Sequence, residues 1–250
     1  MPQARFTLPF ALLPLSLAIL AQTGAVPPKG ASVNPDDRVL NVPYSAQRLF
    51  ISISKGADGT SSRSESGGSE ARDSQGRTYS SGERDWTYLA GGKTVLKSEM
   101  LYRIHDPVAN TDTRWDSTSK EVKVIHYPQS AREENASQGQ CPAECLEDTM
   151  KALGNEFEKL GTKTIEGVVA EGKRSSYTVS AGQDHNDHAI AVVHETWYCP
   201  ELKIVILETN DDPRSGRTTN QLVSIVRGEP DISKYHPPAD YVVHDIQIPW

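Results

Sequence analysis

The stretch "HETWYCPELKIVILE", His194–Glu208, decides the fold. Its letters admit two readings: a reactive cluster of His, Glu and Cys, or a wall of β-sheet. Counting outward from Trp197 separates them. Ala189, Ala191, Val193, Glu195, Trp197 and Cys199 share one side of an extended chain, and Ile190, Val192, His194, Thr196 and Tyr198 share the other. A period of two is what a strand imposes. Pro200-Glu201 supplies a turn, "LKIVILETN" (Leu202–Asn210) returns as a second strand, and "DPRSG" leads into a third, "RTTNQLVSIVRG" (Arg217–Gly228). The stretch is a β-meander. His194-Glu195 opens like the zinc-protease motif, but the second His that motif needs four residues on is Tyr198 here, and the motif needs a helix.

The same alternation recurs upstream. "MLYRIHD" (Met100–Asp106), "DTRWD" (Asp112–Asp116) and "EVKVIHY" (Glu121–Tyr127) place Tyr102, Ile104, Trp115, Val122 and Val124 on an apolar face against charged neighbours. "AQRLFISIS" (Ala46–Ser54) adds Leu49, Ile51 and Ile53 in the same pattern. Such alternation marks antiparallel strands with one apolar face. From Thr60 to Asp85 the chain almost lacks large apolar residues, yet its "SGG" and "DSQGR" turns favour two thin, water-exposed strands over a long structureless loop. "EFEKLGTKTIEGVVAEGKRSSYTVS" (Glu156–Ser180) reads as strands broken by glycines. "CPAECLEDTMKALG" (Cys141–Gly154) is the one helix the pattern supports: Pro142 suits the first turn, Leu146, Met150 and Leu153 share a face, and Gly154 ends it.

The first 25 residues have the form of a signal peptide: Arg5, the uncharged apolar run Phe6–Leu20, then small residues up to Ala25. The run is short and holds Pro9 and Pro14, so stable membrane insertion after cleavage is not expected. Residues 26–45 read as a Pro-rich polar tether, and 46–250 as a single β-rich domain. The formal charge of −7 argues against nucleic acid, which selects clustered Lys and Arg. The protein is expected to be exported, periplasmic or extracellular.

Several constellations carry potential chemistry. "AGQDHNDHA" holds Asp184, His185, Asp187 and His188, all possible metal ligands. Only two histidines converge and no third ligand is identifiable, so the loop reads as a polar turn and no metal or other cofactor is expected. "STSK" (Ser117–Lys120) matches S-x-x-K without either companion motif of penicillin-binding enzymes. In an exported chain Cys141 and Cys145 are near enough to form a disulfide, which is favoured over pairing of either with Cys199. Asn135 heads a glycosylation sequon.

"GTKTIEGVVAEGKR" (Gly161–Arg174), "ETWYCPELKIVILETNDDPRSGRTT" (Glu195–Thr219) and the closing "RGEPDISKYHPPADYVV" (Arg227–Val243), with Tyr235, Pro238, Asp240 and Tyr241, together resemble a group of exported bacterial proteins of unknown function. More distantly, the order of meanders and the final P-x-D-Y resemble the LolA-type lipoprotein carriers. That resemblance implies a mainly β fold, a curved antiparallel sheet or incomplete barrel with one or a few covering helices, whose concave apolar face holds acyl chains. The expectation is therefore an exported, non-catalytic binding protein for a lipid or other apolar ligand, with Ile51, Tyr102, Ile104, Trp115, Val122 and Val124 as contacts. The alternative is an envelope module that binds a protein partner, using Thr60–Asp85 as its surface. The third reading is a metal-dependent hydrolase built on Asp184–His188.

Overall fold

The alternating segments become twelve strands: β1 (Tyr44–Lys55), β2 (Ser61–Arg72), β3 (Thr78–Ala90), β4 (Lys93–Asp106), β5 (Thr111–Asp116), β6 (Glu121–His126), β7 (Glu156–Ile165), β8 (Val168–Val179), β9 (Ile190–Cys199), β10 (Ile204–Asp212), β11 (Gly216–Arg227) and β12 (Val242–Gln247). One α-helix, α1 (Ala143–Ala152), and a 3-10 turn, Ile232–Tyr235, complete the described secondary structure. The computed structural model describes residues 39–56, 58–128 and 143–248, with side chains in the last segment from 147 onward.

The strands form a single open sheet in the order β12-β6-β5-β4-β3-β2-β1-β11-β10-β9-β8-β7. Every neighbouring pair is antiparallel except β12, which joins β6 in parallel. The sheet is curved and does not close into a barrel. Arg72 on β2 shows the sense of the curl. Its guanidinium donates to the carbonyl of Leu202, in the turn between β9 and β10. Three strand spacings of a flat sheet would be roughly 14 Å, beyond an arginine's reach. Arg227 on the adjoining strand β11 pairs with Glu201 of the same turn at 2.6 Å. Arg72 and Arg227 both stand opposite Tyr44, so the face that carries them is the inside of the curl.

Two apolar cores hold the sheet. Tyr44, Ala46, Val168, Ala170, Trp197, Cys199, Leu202, Ile206 and Leu222 form one, where the turns gather. Cys199 is buried there as a free thiol. The second core comprises Ala71, Tyr79, Ile104, Trp115, Val122 and Tyr235, with Tyr102, Val124 and Tyr241 packed against it. Each large side chain buried in these cores contributes about 1.5–3 kcal/mol.

The chain between β11 and β12 must cross the strands that separate them, and it does so as a strap over the second core. Asp231 caps its 3-10 turn by accepting from the Ser233 amide at 2.9 Å. Tyr235 meets Tyr79 edge to face at 6.5 Å, and the Arg77 guanidinium lies over the Tyr235 ring at 5.0 Å. The P-x-D-Y motif singled out in the sequence is this strap, and its Tyr235 and Tyr241 are packing residues.

One expectation changes. The helix begins at Ala143 in the described residues, and Met150 and Leu153 are exposed; their shared face does not cover the sheet. α1 instead sits by β8, with Lys173 of β8 paired to Glu147. The expected Cys141–Cys145 bond and the Asn135 sequon lie outside the described residues.

Candidate functional site

β2 and β3 part company at a pair of glycines. Their pairing starts at Gly68 opposite Gly82 and runs to Arg72 opposite Thr78, while β2 continues alone with β1 back to Ser61 opposite Lys55. A Cβ on Gly68 would stand 1.9 Å from the Ser81 carbonyl oxygen, so the strands can approach there only because the side chain is missing. Below this fork lies a cleft of about 880 Å³, whose lining includes Arg48, Gly82, Leu101, Arg103, Arg114 and Ile125. The register places these residues on the Arg72 face, inside the curl. The volume is within the range of ligand sites, roughly 300–1,000 Å³.

The cleft's electrostatics follow from one row across the sheet. Ser80 opposes Arg103, Arg103 opposes Arg114, and Arg114 opposes Lys123. Like charges directly opposite destabilise a sheet, and Asp112 offsets this. Its carboxylate is 1% exposed and accepts from Arg103 Nε at 2.9 Å and Arg114 Nε at 3.0 Å. Burial alone would raise its carboxyl pKa; the bonds from the two guanidinia outweigh that and hold it below the usual carboxylate value. Asp116 also faces the cleft, but its Oδ1 accepts from the amides of Thr118 and Ser119 and its Oδ2 from the Ser119 hydroxyl, all at 2.7 Å. Arg48 is held by Glu70 at 3.0 Å and Asn220 at 2.7 Å, and Arg84 by the buried Glu99 at 2.8 Å. The result is a polar wall of fixed guanidinia interrupted by Leu101 and Ile125.

The sequence placed the ligand on the opposite face. The register does put Tyr102, Ile104, Trp115, Val122 and Val124 together, and Tyr102 stacks on Trp115 at 5.2 Å and 7°. The strap covers them: Val122 is fully buried and Ile104 nearly so. These side chains make a core. A smaller cavity of about 320 Å³ remains under the strap, lined by Tyr79, Tyr102, Trp115, Lys234, His236, Pro238 and Tyr241. Tyr102 and Trp115 border both cavities. Ile51 lies apart, between Glu65 and Thr219. The cleft was missed because Arg103, Arg114 and Lys123 alternate with apolar residues like any solvent-facing set.

The remaining candidates resolve as turns and ion pairs. His194 sits 3.4 Å from Glu208 on the neighbouring strand, and Glu195 pairs with Arg174. In the Asp184–His188 loop, Asn186 donates to Ser180 and His188 carbonyls at 2.9 and 2.7 Å. Asp184 is taken up by Arg214 and Asp187 by His188. Among the described residues no group of three His, Cys, Asp or Glu is placed to hold a metal ion. Ser117 accepts from the Met100 amide at 3.0 Å, in the β5–β6 turn.

No protein-family profile matches the chain, and no curated relative matches it in sequence. Solved structures do match the chain, at low identity. An uncharacterized conserved protein from Thermus thermophilus is similar over 84% of this chain and 96% of its own, at 10% identity and a TM-score of 0.42. LprF from Mycobacterium bovis is similar over 76% and 88%, at 7% identity and a TM-score of 0.30. A domain assigned to outer membrane lipoprotein sorting in Vibrio parahaemolyticus is similar over 77% and 88%, at 11% identity and a TM-score of 0.26. The chemistry of this site follows from its own geometry. No helix among the described residues is long and apolar enough to cross a membrane.

Proposed function

We propose that the protein is exported and acts as a non-catalytic binding protein for an amphipathic, anionic ligand, with an acyl chain as its apolar part. The observation that supports this reading is the cleft of about 880 Å³ inside the curl. Leu101, Ile125 and the methylene stems of Arg103 and Arg114 offer apolar contact, since arginine buries its stem and keeps its head accessible. The heads of Arg103, Arg114 and Lys123 face an anionic group, and Asp112 fixes the two guanidinia in advance, which lowers the entropy lost on binding. Each methylene of an acyl chain buried there contributes about 0.8 kcal/mol. Tyr102 and Trp115 are among the residues that border this cleft, but their rings stand on the opposite face with Ile104, Val122 and Val124 and support it from behind.

The test is native mass spectrometry of the chain recovered from an exporting host without detergent. Gly82 is the residue to change: a Cβ there meets nothing within 4 Å, so Gly82→Phe fills the cleft without disturbing the sheet. An adduct of lipid mass in the wild type that disappears in Gly82→Phe is the expected result. An adduct retained by Gly82→Phe, or none in either chain, removes this reading.

A second reading is favoured by one observation. Among the described residues nothing pairs with the outer edge of β12, whose Val242, Val243 and Ile246 are exposed. An unpaired edge accepts an added strand, which is the form a protein-binding module of the envelope would take. Crosslinking from position 243 that captures one protein, unaffected by Gly82→Phe, would favour it.

A further inference from the structure

The β3–β4 ribbon outruns its neighbours. β3 pairs with β2 only between Gly82 and Thr78, and β4 pairs with β5 only from Leu101 onward. Yet β3 and β4 stay paired with each other from Glu83 opposite Met100 to Ala90 opposite Lys93. The ribbon therefore leaves the sheet as two strands joined by Gly91-Gly92. Both glycines have positive φ, 57° and 75°, the geometry of the tight hairpin turn that matches strand twist. A free two-stranded ribbon is marginal in water, and polar residues would be expected along it.

The ribbon carries the reverse. Trp86, Tyr88, Leu89 and Leu96 are 40%, 42%, 78% and 64% exposed. They occupy both faces: Trp86 opposes Lys97 and Tyr88 opposes Val95 on one, while Thr87 opposes Leu96 and Leu89 opposes Thr94 on the other. Between Trp86 and Ser98 the only charged side chains are Lys93 and Lys97, in a chain of formal charge −7. Exposed apolar clusters of this kind mark interaction sites.

We infer that the β3–β4 ribbon docks on a lipid surface bearing anionic headgroups, with its Gly91-Gly92 end entering the bilayer interface. A folded partner covers one face of a ribbon, whereas a fluid interface surrounds both, and here both faces are apolar. Trp and Tyr favour the boundary between headgroups and hydrocarbon. Lys97 lies over the Trp86 ring at 5.3 Å, so its ammonium reaches headgroup phosphates while the ring stays at that boundary. Lys93, at the turn, adds a second attraction of about the same size. Insertion stops in the interface, about 5–10 Å deep, because the ribbon's two outer edges carry unpaired backbone groups that hydrocarbon cannot satisfy. Trp86 stands four residues from the turn, roughly 13 Å along the strand, so the ribbon lies inclined in the interface, with Leu89 and Leu96 entering and Lys93 and Lys97 kept at headgroup level. The ribbon's base, Glu83, Arg84 and Leu101, forms part of the cleft wall. The inference stands on the ribbon alone, whatever the cleft holds.

The test is flotation of the full chain with vesicles of phosphatidylcholine and phosphatidylglycerol, beside phosphatidylcholine alone. Wild type and variants share the same N-terminus, so any lipid affinity of the apolar run Phe6–Leu20 is common to all. The expected result is that Leu89→Asp with Leu96→Asp weakens partition at least about tenfold with an unchanged thermal unfolding curve. Lys93→Gln with Lys97→Gln should weaken it only on the anionic vesicles, by roughly fivefold per lysine. Quenching of tryptophan emission by brominated lipid should fall in Trp86→Phe. Equal flotation of wild type and the double aspartate variant overturns the inference, as does a wild type that does not float. Gly82→Phe reports separately on the cleft: it should float like wild type, so loss of its ligand adduct and loss of vesicle binding are independent failures.

Discussion

The guanidinium of Arg72 donates to the carbonyl oxygens of Leu202 and, at 2.9 Å, of Val42. Arg72 is buried and its ring neighbour Tyr44 lies under it at 5.0 Å. One side chain thus ties together the strand before the fork, the approach to β1 and the β9–β10 turn. Arg72→Met keeps most of the volume and removes every donor, leaving the buried Leu202 carbonyl and the half-buried Val42 carbonyl without the bonds it supplies. Each such loss costs about 1–3 kcal/mol, so urea unfolding should show about 2–4 kcal/mol less stability. A loss below about 0.5 kcal/mol would mean that something other than this arginine holds the curl.

Asp112 links the cleft to acid stability. Its carboxyl sits below the usual value of 3.8 in the folded chain. A depressed folded pKa contributes stability above the unfolded value, and the contribution is lost as pH falls through and below about 4. Asp112→Asn leaves Arg103 and Arg114 directly opposed. It should cost about 2 kcal/mol at neutral pH, where the half-exposed arginines still have water, and should flatten the acid limb of the stability curve. Equal acid slopes in the two chains would contradict the assignment.

His105 stands directly opposite Asp112 and gives a second, higher window. Burial lowers its pKa from 6.5, partly countered by Asp112. The fold therefore keeps the ring neutral while the unfolded chain takes up a proton as pH drops through about 6.5. Stability should decline from pH 7 downward and level off below the folded pKa. His105→Gln should remove that decline and leave the lower one due to Asp112. Chemical denaturation of both chains across this range separates the two.

The elements and their partners were legible because period-two alternation is a local consequence of backbone geometry. Trp115, Tyr102 and Val122 stand in one row as the alternation requires, and the polar segment after Thr60 forms β2 and β3. Which face lies inside the curl was not legible, because it is set by long-range contacts such as Arg72 with Leu202, 130 residues apart. Alternation reports that Arg103 and Arg114 face away from the core; it does not distinguish open solvent from a cleft. β12 escaped for a related reason: it is exposed at every position, so no buried face imposes a pattern, and it exists because the strap delivers it to β6. The ribbon tip did leave a signal, Gly91-Gly92 between apolar-rich flanks, which is a hairpin mark.

The strap yields the last prediction, a contrast between two of its residues. Tyr235 is buried against Tyr79 and Arg77, and burial raises its phenol well above the ordinary range. Asp240, five residues on, makes an exposed ion pair with Lys120 at 3.4 Å. Both belong to the motif that stands out in the sequence, yet physics separates them. Tyr235→Ala removes an aromatic anchor from the second core and should cost about 3–4 kcal/mol. Because β12 reaches β6 only through the strap, amide exchange should accelerate along the parallel pairing of Val242 to Gln247 with Glu121 to His126. Asp240→Asn should change stability by less than about 0.5 kcal/mol, since an exposed pair gains little over its hydration. If Asp240→Asn instead matched Tyr235→Ala in stability and exchange, the strap would be held by its charges and the aromatic anchor would be incidental.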